Sequence, residues 1–199
     1  MDIEELIAVN RLWHKIYSYT ARQVMEAFGR ESGRVLELGS FAGGISFVLA
    51  EEYPALELTI AVDDGAYLGY LETELQERGL KERIRLLNSP LSNLSFNDGV
   101  FDLIIFRGAF FFIMDEPAIL TEIARLLSPG GLAFVGGGYG AHVPAELIDE
   151  IADESRLLND KLGRRRVTIP ELQALLESRS LGGKTRIIEE GGVWLEIRA

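Results

Sequence analysis

Strand-like apolar runs alternate with amphipathic helical runs from Arg34 onward, and this alternation narrows the fold more than any other feature of the chain. Arg34–Leu38, Leu58–Val62, Ile84–Leu87, Phe101–Phe106 and Leu132–Gly136 read as strands. Helical runs follow or intervene: Ile45–Glu52, Tyr67–Arg78 closed by Gly79, Pro117–Leu127 with Asp115 as its expected cap, and Ala145–Leu158. Thr168-Ile169-Pro170-Glu171 has capping-box spacing and opens a last helix. Strands separated by helices pair in parallel, because only a crossover returns the chain to the same edge of the sheet. The tail breaks the rhythm. Lys184–Ile188 and Val193–Arg198 are joined by Glu189–Gly192, too short for a crossover, so they pair antiparallel. The expectation is an α/β fold: one doubly wound, mostly parallel sheet of about seven strands, helices on both faces, and an antiparallel strand from the C-terminal hairpin.

Residues 1–199 read as one domain, with 1–30 as an N-terminal helical extension. Within Ile3–Phe28, Leu6, Val9, Leu12, Trp13, Ile16 and Tyr17 fall close to one helical face. The net charge of −11 repels phosphate backbones, so nucleic acid is not the expected partner. The one basic cluster, Lys161 to Arg166, reads as a solvated connection. The absence of cysteine excludes disulfides, thiolate metal sites and cysteine nucleophiles. No membrane span is expected, since the longest apolar run, Leu103 to Met114, is short and contains Arg107. The acidic start is unlike a secretory leader, which makes the cytoplasm the expected location. His14 and His142, the only histidines, have no metal-ligand spacing, and no metal site is expected.

The segment Val35-Leu36-Glu37-Leu38-Gly39-Ser40-Phe41-Ala42-Gly43-Gly44 carries the most chemistry. A short strand ends in an acid and enters a glycine-rich turn before a helix. Such a turn places backbone N–H groups at the positive end of a helix, a place for the polar part of a nucleotide-like ligand. In an open α/β sheet, ligands sit at the carboxyl ends of the strands. Asp63 and Asp64 end the second strand, and Asp63 stands 24 positions beyond Gly39, near the roughly 20 expected of a ribose-binding acid. The glycines do not satisfy the dinucleotide spacing Gly-x-Gly-x-x-Gly, so a nicotinamide fold is the weaker competitor.

The ordered set resembles the Rossmann-like, class I S-adenosylmethionine-dependent methyltransferases, especially the small-molecule branch. The family's acid-x-Gly-x-Gly-x-Gly motif is similar to Glu37-Leu38-Gly39-Ser40-Phe41-Ala42-Gly43, and its second-strand acid to Asp63 in Ala61-Val62-Asp63-Asp64. Leu94 to Asp102 resembles the family's Leu-Pro-Phe-x-Asp-x-x-Phe-Asp, and Ile119 to Gly131 its helix ending in Leu-x-Pro-Gly-Gly. The resemblance implies S-adenosyl-L-methionine as cofactor and methyl transfer to a small-molecule acceptor. It implies cofactor contacts from Glu37, Gly39, Ser40, Phe41, Gly43, Asp63, Asp64, Pro90, Leu91 and Arg107. Two positions depart from the pattern. Phe41 replaces the middle glycine, beside the expected place of the methionine part. Pro90 stands where many relatives carry an acid for the adenine, which leaves the N–H of Leu91 to reach the ring. These departures keep open a second reading, a non-catalytic relative that only binds the cofactor or serves as a scaffold.

Arg107 ends the fourth strand, where burial without a partner is costly. It is expected to bind a carboxylate of cofactor or substrate, or to sit in an internal salt bridge. Phe110 to Phe112 read as core or as a ring wall for an apolar substrate, and Gly136 to Gly140 as a turn on the substrate side. The N-terminal segment, with Trp13, His14, Tyr17 and Tyr19, reads as a cover for the substrate pocket. No residue stands out as a catalytic base, because an activated methyl donor asks mainly for positioning and dryness.

Overall fold

Each apolar run becomes a strand in the computed structural model, which describes residues 2–199. The strands are β1 (Gly33–Leu38), β2 (Leu56–Val62), β3 (Ile84–Asn88), β4 (Phe101–Arg107), β5 (Leu127–Gly137), β6 (Thr185–Ile188) and β7 (Val193–Arg198). They form one sheet in the order β3-β2-β1-β4-β5-β7-β6. β1 to β5 pair in parallel, and β7 runs antiparallel to both β5 and β6. The chain winds outward from β1 through β2 to β3, then returns to lay β4 on the other side of β1. The crevice between the carboxyl ends of β1 and β4 is therefore the switch point of the sheet.

The helices are α1 (Ile3–Trp13), α2 (Tyr17–Phe28), α3 (Gly44–Glu52), α4 (Gly65–Arg78), α5 (Ala118–Leu126), α6 (Ala145–Lys161) and α7 (Ile169–Ser178). Successive side chains of a strand face opposite sides of the sheet. Val35, Leu103 and Ile105 thus join the core formed with α1 to α4 and α6, while Leu36, Leu38, Ile104 and Phe106 join the core under α5 and α7. The same parity turns Glu37 and Arg107 toward the α1–α3 side. Among the described residues, no helix is long and apolar enough to cross a membrane.

Three local expectations need correction. The segment Ile3–Phe28 is two helices joined by a single 3-10 turn at His14–Ile16. The turn sends Trp13 and Tyr17 to different partners, described below. Leu6, Val9, Trp13, Ile16 and Tyr17 are all buried in the main core, so α1 and α2 are built into the fold, with Trp13 also lining a pocket described below. Asp115 does not cap α5. A turn on the Phe112 carbonyl holds it two residues before the N-cap position, Pro117, which gives no side-chain cap, and Asp115 pairs instead with Arg165 at 3.0 Å. Finally, Pro129-Gly130-Gly131 lies in an irregular stretch of β5. The register with β4 jumps there, and regular pairing resumes at Leu132.

Candidate active site

The glycine loop after β1 is shaped by close packing and by one buried acid. Gly39 and Gly43 have φ of 86° and 113°, and a Cβ would stand 2.6 Å from the Phe106 ring at the first and 2.7 Å from Leu71 at the second. Glu37 is fully buried and its Oε2 accepts the Ser46 N–H at 2.9 Å. Burial pushes its carboxyl above the usual range, against the opposing pull of the Ser46 N–H and the Arg107 charge. The sequence reading offered the N–H groups of the α3 N-terminus to a ligand. In the structure the protein's own Glu37 takes part of that role and braces the loop.

The loop carbonyls are tied down from three different elements. Asn10 of α1 donates to Ser40 O at 3.4 Å, Arg107 of β4 to Phe41 O at 3.2 Å, and Tyr67 of α4 to Ala42 O at 2.6 Å. Tyr17 of α2 donates to Asn10 Oδ1 at 2.7 Å, and Asn10 donates in turn to the Tyr67 hydroxyl at 3.1 Å. Arg107 Nη2 donates to both Asn10 Oδ1 and Tyr17 Oη at 2.7 Å. The Tyr17 ring lies where a side chain on Gly44 would have to go. Burial raises both the Tyr17 and the Tyr67 hydroxyl well above the ordinary tyrosine value, so both stay protonated donors at neutral pH. Sequence reasoning missed Asn10 and Tyr67. The signal for Asn10 was present: it is a lone polar residue on the apolar face that carries Leu6, Val9 and Trp13.

The internal salt bridge that was one expectation for Arg107 is not formed. Arg107 is 3 % exposed, and no carboxylate pairs with it among the described residues. Its guanidinium is enclosed by three rings, with centroids at 4.6 Å (Trp13), 5.0 Å (Tyr17) and 5.4 Å (Phe41). Desolvated cation–π contacts of this kind are worth up to about 2 kcal/mol. Its Nε is buried without a hydrogen-bond partner. Phe41 itself is buried, with its ring over Gly108 and 4.9 Å from the ring of Phe111. It stands as a partition between the glycine loop and the neighbouring pocket.

At the carboxyl end of β2 the two adjacent acids divide their work. Asp64 caps α4, accepting the N–H groups of Ala66 at 2.8 Å and Tyr67 at 3.1 Å. Asp63 is exposed and makes no side-chain hydrogen bond or ion pair among the described residues. Partial desolvation and its neighbour Asp64 raise its carboxyl. Across β3, Ser89 extends the pairing to Val62 O at 2.8 Å, Pro90 is exposed and Leu91 is buried.

A pocket of about 230 Å³ opens between the ends of β4 and β5, α1 and the α6–α7 connection. Trp13 and Tyr139 stack along it with centroids 5.2 Å apart, and the Trp13 indole is fixed by its N–H to Ser155 Oγ at 2.8 Å. Phe110 and Phe111 line it with Gly137 and Gly138, as does the buried Arg107. The basic cluster corrects the sequence reading. Arg164 and Arg165 line this pocket, so the connection is more than a solvated link. The remaining substrate candidates lie elsewhere. His14 is exposed on a small depression between α1 and α4, with Tyr17 at its inner side. Tyr19 faces a separate depression between α2 and the end of α3, with Glu52 and Tyr53, because two residues along a helix rotate a side chain by about 200°. His142 sits beside Glu26 at the surface of α2.

Residues 36–135 match the family model described as a methyltransferase domain. The chain therefore belongs to the class I S-adenosylmethionine-dependent methyltransferases, whose cofactor is S-adenosyl-L-methionine. It is 30% identical over 110 residues to the demethylmenaquinone methyltransferase of Thermus thermophilus, covering 55% of this chain and 49% of that protein. It is 27% identical over 153 residues to the uncharacterized methyltransferase YcgJ of Bacillus subtilis, covering 76% and 58%. The chain spans about half the length of the curated relatives it matches. A Methanococcus maripaludis structure, provisionally assigned as an S-adenosyl-L-methionine-dependent methyltransferase, superposes with a TM-score of 0.85 at 24% identity over 99% of this chain and 93% of that one. At that identity the likeness speaks for the fold.

Proposed function

We propose that the chain transfers a methyl group from S-adenosylmethionine to a small molecule, with the cofactor across the ends of β1 and β2 and the acceptor in the pocket beyond β4 and β5. The observation that carries this reading is Asp63. Its carboxylate has no partner side chain, stands at the carboxyl end of β2 next to β1, and is partly desolvated. A ribose presents two hydroxyl donors that suit such a group. In this reading the Gly39–Gly43 loop borders the methionine part and the Leu91 N–H reaches the adenine. Glu37, Asn10 and Tyr67 hold the loop in place. The bound cofactor supplies an activated methyl carbon. The protein's part is to orient the acceptor and exclude water, for which the ring-lined pocket is suited.

S-adenosylhomocysteine at 100 times its dissociation constant should stabilise the fold by about 2.7 kcal/mol and raise its melting temperature. Incubation with S-adenosylmethionine and a metabolite panel should then release S-adenosylhomocysteine. No thermal shift at millimolar ligand would end the reading. A non-catalytic cofactor binder is the second reading, and Phe41 at a family glycine position favours it. Because the Phe41 ring packs on Gly108 and Phe111, we expect Phe41→Gly to leave cofactor affinity within about tenfold, that is 1.4 kcal/mol. A larger gain would mark the ring as an obstruction.

A further inference from the structure

We propose that the pocket at the ends of β4 and β5 recognises its acceptor by a carboxylate, carried on a ring-bearing or short apolar small molecule and held at the Arg164–Arg165 rim. This deepens the reading above and rests on it. Three observations carry it.

The first is charge. The chain carries a net −11, yet the pocket lining contains Arg107, Arg164 and Arg165 and no carboxylate. An acidic surface around a basic concavity focuses an anion into it and nowhere else. Two of the guanidiniums have exposed acids at the rim, Arg164 with Asp160 at 2.7 Å and Arg165 with Asp115 at 3.0 Å. The balance left over is one positive charge, which suits a monoanion better than a doubly charged phosphate ester.

The second is unmet hydrogen bonding. Arg107 Nε and Arg164 Nε are both buried without partners. Leaving a buried donor unpaired is costly, and on a charged group more so. Arg107 is held rigid by its bonds to Asn10, Tyr17 and the Phe41 carbonyl, so it cannot swing out to water. A guanidinium fork matches a carboxylate geometrically.

The third is shape. The pocket measures about 230 Å³, whereas an apolar cavity of roughly 150 Å³ takes benzene. A substituted ring with a short acid arm fits. The Trp13–Tyr139 stack gives one flat wall and Phe110 with Phe111 gives another. The Trp13 indole is pinned to Ser155 of α6, so the wall and the arginine-bearing connection are fixed to each other. A carboxylate gripped by arginine has its lone pairs engaged, and is therefore the handle. The methyl-accepting atom belongs at the other end of the molecule, toward Phe41 and the glycine loop.

The test is calorimetric binding of benzoate, phenylacetate, indole-3-acetate and octanoate, each against its neutral amide and beside phenyl phosphate. It is run with and without saturating S-adenosylhomocysteine. At least one acid should bind about tenfold or more tighter than its amide. In the double variant Arg164→Gln/Arg165→Gln that preference should fall to about twofold or less, with affinity for S-adenosylhomocysteine unchanged. Arg166→Gln, an exposed neighbour outside the pocket, should keep the preference. If no acid outbinds its amide, or if the preference survives in the double variant, the proposal is wrong. Tighter binding of phenyl phosphate than of every acid would replace the monoanion by a phosphate ester and overturn it. Loss of S-adenosylhomocysteine affinity in the double variant would reassign the arginines to the cofactor. Failure of the wild type to bind S-adenosylhomocysteine, with acid preference intact, would remove the methyltransferase reading and leave the anion pocket standing.

Discussion

Arg125 and Arg107 lie in two regions that use the same side chain in opposite ways. Arg125, at the end of α5, meets both oxygens of Glu122 at 2.7 and 2.8 Å, Asp98 at 2.6 Å, and the carbonyls of Phe96 at 2.9 Å and Leu94 at 3.2 Å. Glu122 also accepts the Leu94 N–H at 2.7 Å. The polar groups of this knot satisfy one another, and the result is a tether for the 94–98 loop. Arg107, at the switch point, has rings and neutral oxygens around it, an unpartnered Nε, and open space on one side. A charge matched by its own protein stabilises the fold. A charge held rigid and left short of a partner is set up for a ligand.

The largest expected effect is on the tether. Arg125→Ala strands a nearly buried Glu122 and should cost about 3 kcal/mol in equilibrium unfolding, the low end for breaking such a pair, since Arg125 is partly exposed. The pair also sets an acid dependence. Arg125 holds the Glu122 carboxyl below its ordinary 4.5. The stabilisation is thus fully present above that value and is lost as pH falls through the lowered one. Urea midpoints measured from pH 7 downward should show this loss in the wild type and a flatter profile in Arg125→Ala. An unchanged profile would mean that the tether contributes nothing.

Arg107→Met should invert the pattern. We expect unfolding free energy to fall by only about 1–2 kcal/mol, the cost of leaving the Tyr17, Asn10 and Phe41 oxygens short of a donor. Turnover should fall by about 100-fold or more, that is 2.7 kcal/mol. Intact turnover with a large loss of stability would make Arg107 structural and erase the contrast.

The smallest pair of effects separates the adjacent acids. Asp63→Ala should weaken S-adenosylhomocysteine by about 1.5–3 kcal/mol, with unfolding unchanged. Asp64→Ala should instead lower stability by about 1 kcal/mol through loss of the α4 cap. Calorimetry and denaturation on the same two variants check both halves.

The β1–β5 framework was readable because its residues act locally. The strand runs, the Gly79 stop and the Thr168–Glu171 capping box each depend on neighbours a few positions away, and each stands as expected. The glycine turn after β1 and the two acids after β2 were visible for the same reason. The roles of Asn10, Tyr67, Arg164 and Arg165 were not, because each acts across the fold. Asn10 meets Arg107 97 positions away, and Arg165 meets Asp115 50 positions away. A run such as Lys161 to Arg166 looks like solvated surface until the chain folds it over a pocket. Tyr19 failed differently: it sits beside the right residues in sequence, but helical rotation turns it to a separate depression between α2 and the end of α3.

A crystal structure with S-adenosylhomocysteine tests the division between the two halves of the site most directly. The ribose hydroxyls are expected on Asp63 at the end of β2, the methionine part beside the Gly39–Gly43 loop, and the arginine-lined pocket open beyond Phe41. A product cofactor seated with its carboxylate on Arg164 and Arg165, and Asp63 left without a contact, would contradict the account.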